Sequence, residues 1–246
     1  MASVRIMIYN AGYMTGITST SPAEYLKKLN RITLPSKTVR GALAASFLKE
    51  LETLSPDILF MTEIRPDPYC AEIQKHFGYS TVDVKYAPES LLRSVPYFRA
   101  NSSGVFQMDR HPTTTYYLQH GAKRLVHIVD VTDECMVLFV HCALRKETRK
   151  AQFAELAHLI RTRSKEHVIV GGDFNIFDGP TELDELLQAG HLRIANDLSA
   201  FTFPTEKPRQ ALDLFLVSRD LPVTLVKTLS DYTGSDHVPV VIDVTV

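Results

Sequence analysis

The chain opens with VRIMIYN, residues 4–10, a short run dominated by apolar side chains. Similar runs follow: DILFMTE at 57–63, SGVFQM at 103–108, RLVHIVDV at 124–131, CMVLFVHC at 135–142, HVIVGGD at 167–173, ALDLFLVS at 211–218 and VPVVIDVTV at 238–246. Their length and β-branched content predict strands. Other stretches are helical in character. TVRGALAASFLKELETL, 38–54, is rich in helix formers and stops before Ser55-Pro56, and KETRKAQFAELAHLIRTR, 146–163, sets an apolar stripe against a charged face. A short helix over 180–189 is expected to close at Gly190.

RLVHIVDV and CMVLFVH, joined by Thr-Asp-Glu, predict a hairpin and therefore antiparallel neighbours, whereas the strand-helix-strand spacing over 140–170 predicts a parallel crossover. The sheet is thus expected to be mixed. No repeat, low-complexity tract or Gly/Ser linker divides the chain, so a single α/β domain over 1–246 is expected. Residues 11–36 are the least periodic stretch and read as a long loop, of the kind that is functional or mobile in a compact domain.

With 45% hydrophobic residues among 246, the chain can bury a sizeable core. Its 27 basic and 28 acidic residues give a net charge of −1, so nothing global attracts nucleic acid or an anionic membrane, and any affinity for phosphate must be local. Cys70, Cys135 and Cys142 lack metal-ligand spacing and form an odd set, which fits reduced thiols and a cytoplasmic location. The amino-terminal stretch reads as a strand rather than a secretion leader, and no run approaches the length of a bilayer span, so no stable membrane insertion is expected. A monomer is expected.

Several polar residues stand where the apolar runs end: Asn10, Glu63, His141, Asp173 with Asn175 in GGDFN, Asp213 within ALDLFLVS, and Asp236-His237 before VPVV. If the strands share a sheet, these ends converge on one rim, the usual place for a site in layered α/β proteins. Carboxylate and amide oxygens suit a hard divalent cation, and histidines with carboxylate partners suit proton transfer and phosphate contact. Each residue also has a plainer reading. GGDFN can be only a turn, Glu63 a surface carboxylate, His141 a core histidine, and Asp236-His237 incidental loop charge. Asp213, flanked by Leu212 and Leu214, is harder to dismiss, because a buried carboxylate needs a partner.

Taken in order, RIMIYNAG, DILFMTEI, VLFVHCALRKETRKAQFAEL, VIVGGDFN, ALDLFLVS and GSDHVPVVIDV resemble the motifs of the exonuclease-endonuclease-phosphatase superfamily from residue 5 onward. GDFN with the later SDH is the specific pair. The resemblance implies a four-layer α/β/β/α sandwich, two mixed sheets flanked by helices, with the active site at one rim. It also implies a metal-dependent phosphodiesterase using magnesium, with manganese as a substitute. Glu63 would be the main metal ligand, with Asn10 beside it and Asp236 supporting metal or water. Asp173 would orient or deprotonate the attacking water, and Asn175 would donate to a phosphate oxygen. His237 would face the phosphate with Asp213 on its other ring nitrogen. Whether one ion or two is used, and whether Asp173 or His237 is the base, stays open.

His141 resembles the deoxyribonuclease, sphingomyelinase, deadenylase and 5-phosphatase branches, where a histidine here is a phosphate ligand or general acid, rather than the abasic-site branch. PRQALDLF departs from the 5-phosphatase signature, and the absence of Trp weakens an abasic-site reading. The expected partner is a phosphodiester, DNA or RNA first, with a phospholipid head group or small phosphate ester next. An inactive phosphate-binding module is the rival, although Glu63, Asp173 and His237 are all in place. Asn101, Arg145 and Arg209 are the candidates for substrate contact. Arg145, Lys146, Arg149 and Lys150 at the predicted helix start after His141 could track a polyanion but read more simply as a solvated helix face.

Overall fold

The computed structural model describes residues 2–24, 26, 27 and 36–246; residues 25 and 28–35 of the predicted long loop lie outside the described set. Twelve strands form two six-stranded sheets. One sheet contains β1 (Ser3–Asn10), β2 (Ile58–Ile64), β3 (Tyr79–Val84), β4 (Ser102–Gln107), β11 (Val223–Thr228) and β12 (Val240–Thr245), in the order β11-β12-β1-β2-β4-β3. The other contains β5 (Thr113–Tyr117), β6 (Leu125–Asp130), β7 (Cys135–His141), β8 (His167–Asp173), β9 (Leu192–Ile194) and β10 (Asp213–Ser218), in the order β5-β6-β7-β8-β10-β9. Both sheets are mixed, with β1/β2 and β7/β8 the parallel pairs.

The period of two along each central strand decides how the layers stack. Ile6 and Ile8 of β1 meet Val137 and Phe139 of β7, Ile169 of β8 and Phe215 of β10 between the sheets. Met7 and Tyr9 turn the other way, onto Phe47 and Leu51 of α1 (Lys37–Leu54) and Ile73 of α2 (Pro68–Lys75). In the second sheet Met136, Leu138 and Val140 pack on Phe153, Leu156 and Ile160 of α3 (Lys146–Arg163), and Leu214 and Leu216 share that core with Leu186 of α4 (Asp184–Ala189). Three cores between four layers make the expected α/β/β/α sandwich.

Helix ends follow ordinary chemistry. Ser36 Oγ accepts from Val39 N at the start of α1, and left-handed Ser55 ends it ahead of Pro56. The predicted helix over 180–189 is a 3-10 turn, Pro180–Leu183, running into α4. Gly190 does not supply the left-handed cap expected of it: its φ is −92°, and the left-handed residue is His191. Gly190 relieves a tight fit instead, since a Cβ there would lie 3.1 Å from Leu186 O and from the Leu192 side chain. Among the described residues no helix is long and apolar enough to cross a membrane.

Candidate active site

The two parallel pairs place four strand ends on one rim. In register, Asn10 pairs with Thr62, and His141 with Asp173. Antiparallel β10 starts where β8 stops, so Asp213 lies directly across from Asp173. The segment entering β12 adds Asp236 and His237.

The glycine pair in VGGDFN makes the turn possible. At Gly171 a Cβ would lie 2.8 Å from the Phe215 ring, and at Gly172, with φ of +146°, it would lie 2.0 Å from Val140 O. No L-residue side chain fits at Gly172. Asp173 then leaves β8, and Asn175 adopts φ of +53°, a left-handed conformation that asparagine tolerates. Its N–H donates to Asp173 Oδ1 at 3.0 Å, and its side-chain amide donates to Cys142 O at 3.0 Å. Both polar groups of GDFN are thereby fixed by the turn itself.

From the opposite sheet, Asn10 Nδ2 donates to Asp173 Oδ2 at 2.9 Å, while its Oδ1 accepts from Gly12 N at 3.1 Å. Glu63 has φ of +51° where the β2/β4 register slips between Met61 and Ile64, a bulge that turns the carboxylate toward the rim. Thr62 Oγ1 bonds His141 Nδ1 at 2.7 Å and Ser103 Oγ at 2.9 Å. The other ring nitrogen of His141 accepts from the Lys123 ammonium and lies 3.4 Å from Asp173 Oδ2. An ammonium only donates, so Nδ1 carries the ring proton and donates to Thr62. Burial, reinforced by Lys123, holds the His141 pKa well below its ordinary value and the ring neutral.

His237 behaves oppositely. Its Nδ1 donates to Asp213 Oδ2 at 2.7 Å, and its Nε2 stands 3.9 Å from Asp173 Oδ2. Burial by itself would lower its pKa, but the carboxylates of Asp213 and Asp173 outweigh burial and raise it to about 9. Asp173 is raised to about 6 by burial, against the opposing pull of His237. One imidazole is therefore neutral and the other cationic, on either side of one carboxylate.

Asn10, Glu63, His141, Asp173, Asn175, Asp236 and His237 line a single cavity of about 760 Å³. Asp213 stands directly behind His237. The floor is polar, whereas the mouth is apolar, with Leu144 63% and Phe177 37% exposed and Phe203 set 4.7 Å from the His237 ring. The remaining candidates do not line the cavity. Asn101 is buried, with its Oδ1 accepting from Arg65 Nε at 3.2 Å. Arg145 is the exposed residue before α3, next to Leu144. Arg209 reaches Thr20 Oγ1 at 3.4 Å in a neighbouring polar cleft that shares Ser19 and Thr20 with the main cavity.

The solvated-face reading of Lys146, Arg149 and Lys150 fails at Arg149. That residue is 1% exposed and pairs with Glu182 at 2.5 Å, because α3 turns it inward to hold Leu144 O at 2.5 Å. Among the lining residues that sequence reasoning did not single out are Lys123, Leu144, Phe177 and Phe203. Lys123 sits in a polar turn without motif context. Phe177 lies two residues past GDFN and was within reach.

Asp173, Asp213 and His237 can bring one ligand atom each within 4.8 Å of one another. Asp213 Oδ2 and His237 Nδ1 are already engaged with each other, and imidazole is a poor ligand for magnesium. The all-oxygen set of Asn10, Glu63 and Asp236 on the same cavity fits a hard cation better.

A double mixed-sheet sandwich with this carboxylate, amide and histidine rim defines a phosphoester-hydrolase type of fold and site. The sequence model of the Endonuclease/Exonuclease/phosphatase family matches residues 39–237, and the chain belongs to that family. The catalytic domain of human Nocturnin, solved with a bound sulfate anion, is 18% identical with a TM-score of 0.66, covering 99% of this chain and 94% of that one. An endonuclease/exonuclease/phosphatase from Beutenbergia cavernae DSM 12333 is 19% identical with a TM-score of 0.69, covering 100% of this chain and 72% of its own. TDP2 of D. rerio, humanized by 14 mutations, is 12% identical with a TM-score of 0.66, covering 99% of each. At these identities the structural likeness establishes the fold. A search of curated proteins finds no significant match.

Proposed function

We propose that this chain is a magnesium-dependent phosphodiesterase acting on single-stranded or terminal nucleic acid. The observation that carries the reading is the placement of Asp173 Oδ2 between two imidazoles, 3.4 Å from His141 Nε2 and 3.9 Å from His237 Nε2, on a cavity that also presents Asn10, Glu63 and Asp236. A carboxylate raised to about 6 is ionised at neutral pH and basic enough to take a proton from water. His237, kept cationic by Asp213, presents Nε2 to a phosphate oxygen, and Asn175 supplies an amide hydrogen to another. Asn10, Glu63 and Asp236 would hold magnesium, with manganese as a substitute, and the ion would supply charge neutralisation at the phosphate and leaving oxygen.

Size and surroundings point to the substrate class. A cavity of about 760 Å³ in which Lys123 is the single Lys or Arg among the described lining residues lacks the many Lys/Arg contacts on which binding along a duplex backbone depends. Phe177 and Leu144 at the mouth offer an apolar face to one unpaired base. The three buried free thiols fit a reducing compartment such as the cytoplasm.

The test is product release from bis(p-nitrophenyl) phosphate, single- and double-stranded DNA, RNA and sphingomyelin, with and without EDTA, alongside Glu63→Ala and Asp173→Ala. Turnover of single-stranded substrates that disappears with EDTA and in both variants is expected. A folded wild-type protein that turns over nothing moves the reading to a phosphate-binding module, and cleavage of sphingomyelin alone moves it to a lipid head group.

A further inference from the structure

The cavity contains one fixed cation that the reading above leaves without a role. Lys123 is the only Lys or Arg among its described lining residues. It comes from the turn before β6, and the next residue shows the contrast. Arg124 faces away, with its guanidinium on Leu118 O and on Glu89 at 2.7 Å. Lys123 faces in, and the only hydrogen bond its ammonium makes among the described residues goes to His141 Nε2, a neutral acceptor.

The turn that delivers Lys123 is anchored. Buried Gln152 of α3 donates to Lys123 O at 2.7 Å and to His120 O at 2.9 Å, and its own Oε1 accepts from Ala143 N at 2.9 Å. Glu155 accepts from Gln119 N at 2.6 Å. Gly121, with φ of +86°, passes so close to α3 that a Cβ would lie 2.7 Å from Thr148 Cγ2. A long cationic side chain on so firmly held a stem, facing a polar floor, is a preorganised donor.

We propose that Lys123 is a phosphate-binding residue of this site, resting on His141 Nε2 when no substrate is bound and transferring its ammonium to a non-bridging phosphate oxygen when one is. The inference rests on the phosphodiesterase reading for its substrate class. The energetic reason is that a charge-assisted bond to a phosphate oxyanion is about twice as strong as a bond to a neutral acceptor. The exchange also frees the Nε2 lone pair of His141 to accept a hydrogen bond from water or a substrate hydroxyl, which makes phosphate binding and the availability of His141 one event.

The experiment is binding of inorganic phosphate in EDTA, by isothermal titration, to wild type, Lys123→Met and Lys123→Arg, with KM and kcat on bis(p-nitrophenyl) phosphate in magnesium alongside. Methionine keeps most of the stem without charge, and arginine restores a cation, so thermal melts should coincide. The expected result is phosphate affinity lower by about tenfold or more in Lys123→Met and largely recovered in Lys123→Arg, with KM rising in parallel. Equal affinity of wild type and Lys123→Met, or no phosphate binding by wild type, overturns the proposal. Lys123-dependent phosphate binding without diester turnover retains Lys123 and removes the phosphodiesterase reading; turnover with unchanged phosphate affinity does the reverse.

Discussion

Replacing Asp213 by Asn tests the electrostatics of the rim without touching the cavity surface. The amide keeps the volume of the carboxylate and can still accept from His237 Nδ1, so the chief loss is the negative charge. In the wild type, His237 titrates at about 9 when folded against an ordinary 6.5. A raised folded pKa contributes stability that is complete below about 6.5 and is lost as pH rises through about 9, a linkage worth about 3 kcal/mol for this buried group. In Asp213→Asn burial regains the upper hand, and the ring is neutral over most of that window. The stability gap between wild type and variant should therefore be widest near pH 6 and narrow by up to about 3 kcal/mol on approaching pH 10. Urea unfolding at intervals of one pH unit, in EDTA, gives the gap directly, and titrations that the substitution leaves unshifted cancel, with Asp173, at about 6, contributing only at the lowest pH. A gap that stays constant from pH 6 to pH 10 would refute the assignment of a cationic His237.

Other predictions follow from single contacts. Gly172→Ala places a Cβ 2.0 Å from Val140 O in a φ that alanine avoids, so it should cost more than about 3 kcal/mol, visible as a large fall in Tm or as insoluble expression. Arg149→Met strands Glu182, whose side chain is 6% exposed, and should cost about 3–5 kcal/mol; a melt within a few degrees of wild type would contradict it. Phe177→Ala, at a partly exposed site, should leave Tm nearly unchanged yet raise KM for a single-stranded oligonucleotide by about fivefold or more, with no matching change for a duplex. Arg145→Ala should change KM for that oligonucleotide much less than Phe177→Ala, because Arg145 lies outside the cavity wall; an equal effect would extend the substrate path along the start of α3.

Legibility in the sequence followed burial. Eight strands announced themselves as apolar runs, and the four that did not are β3, β5, β9 and β11, which are the four edges of the two sheets. An edge strand buries little and pairs on one side only, so its alternation is diluted: TTTYY and VTLVKT carry no continuous apolar face. The polar residues of the rim were readable for the converse reason, since Asn10, Asp173 and Asp213 interrupt apolar runs and stand out against them. Lys123 was not readable, because its approach to His141 depends on Gln152, which lies 29 residues further along the chain. Asn101 looked like a loop residue near the site, whereas its carbonyl oxygen is taken by Arg65, a pairing that only the tertiary fold creates.

Bonds cross from one sheet to the other at the rim, among them Asn10 to Asp173, Thr62 to His141, and His237 to Asp213. Neither sheet carries a working half. The first contributes Asn10, Glu63 and the His237 approach, and the second contributes His141, Asp173, Asn175 and Asp213. A folding species with both sheets formed but not yet docked would have native circular dichroism in the far ultraviolet and no competent site. Recovery of activity is thus a clock for sheet docking, and in a refolding experiment it should lag the appearance of secondary structure by the time the two faces take to find their register.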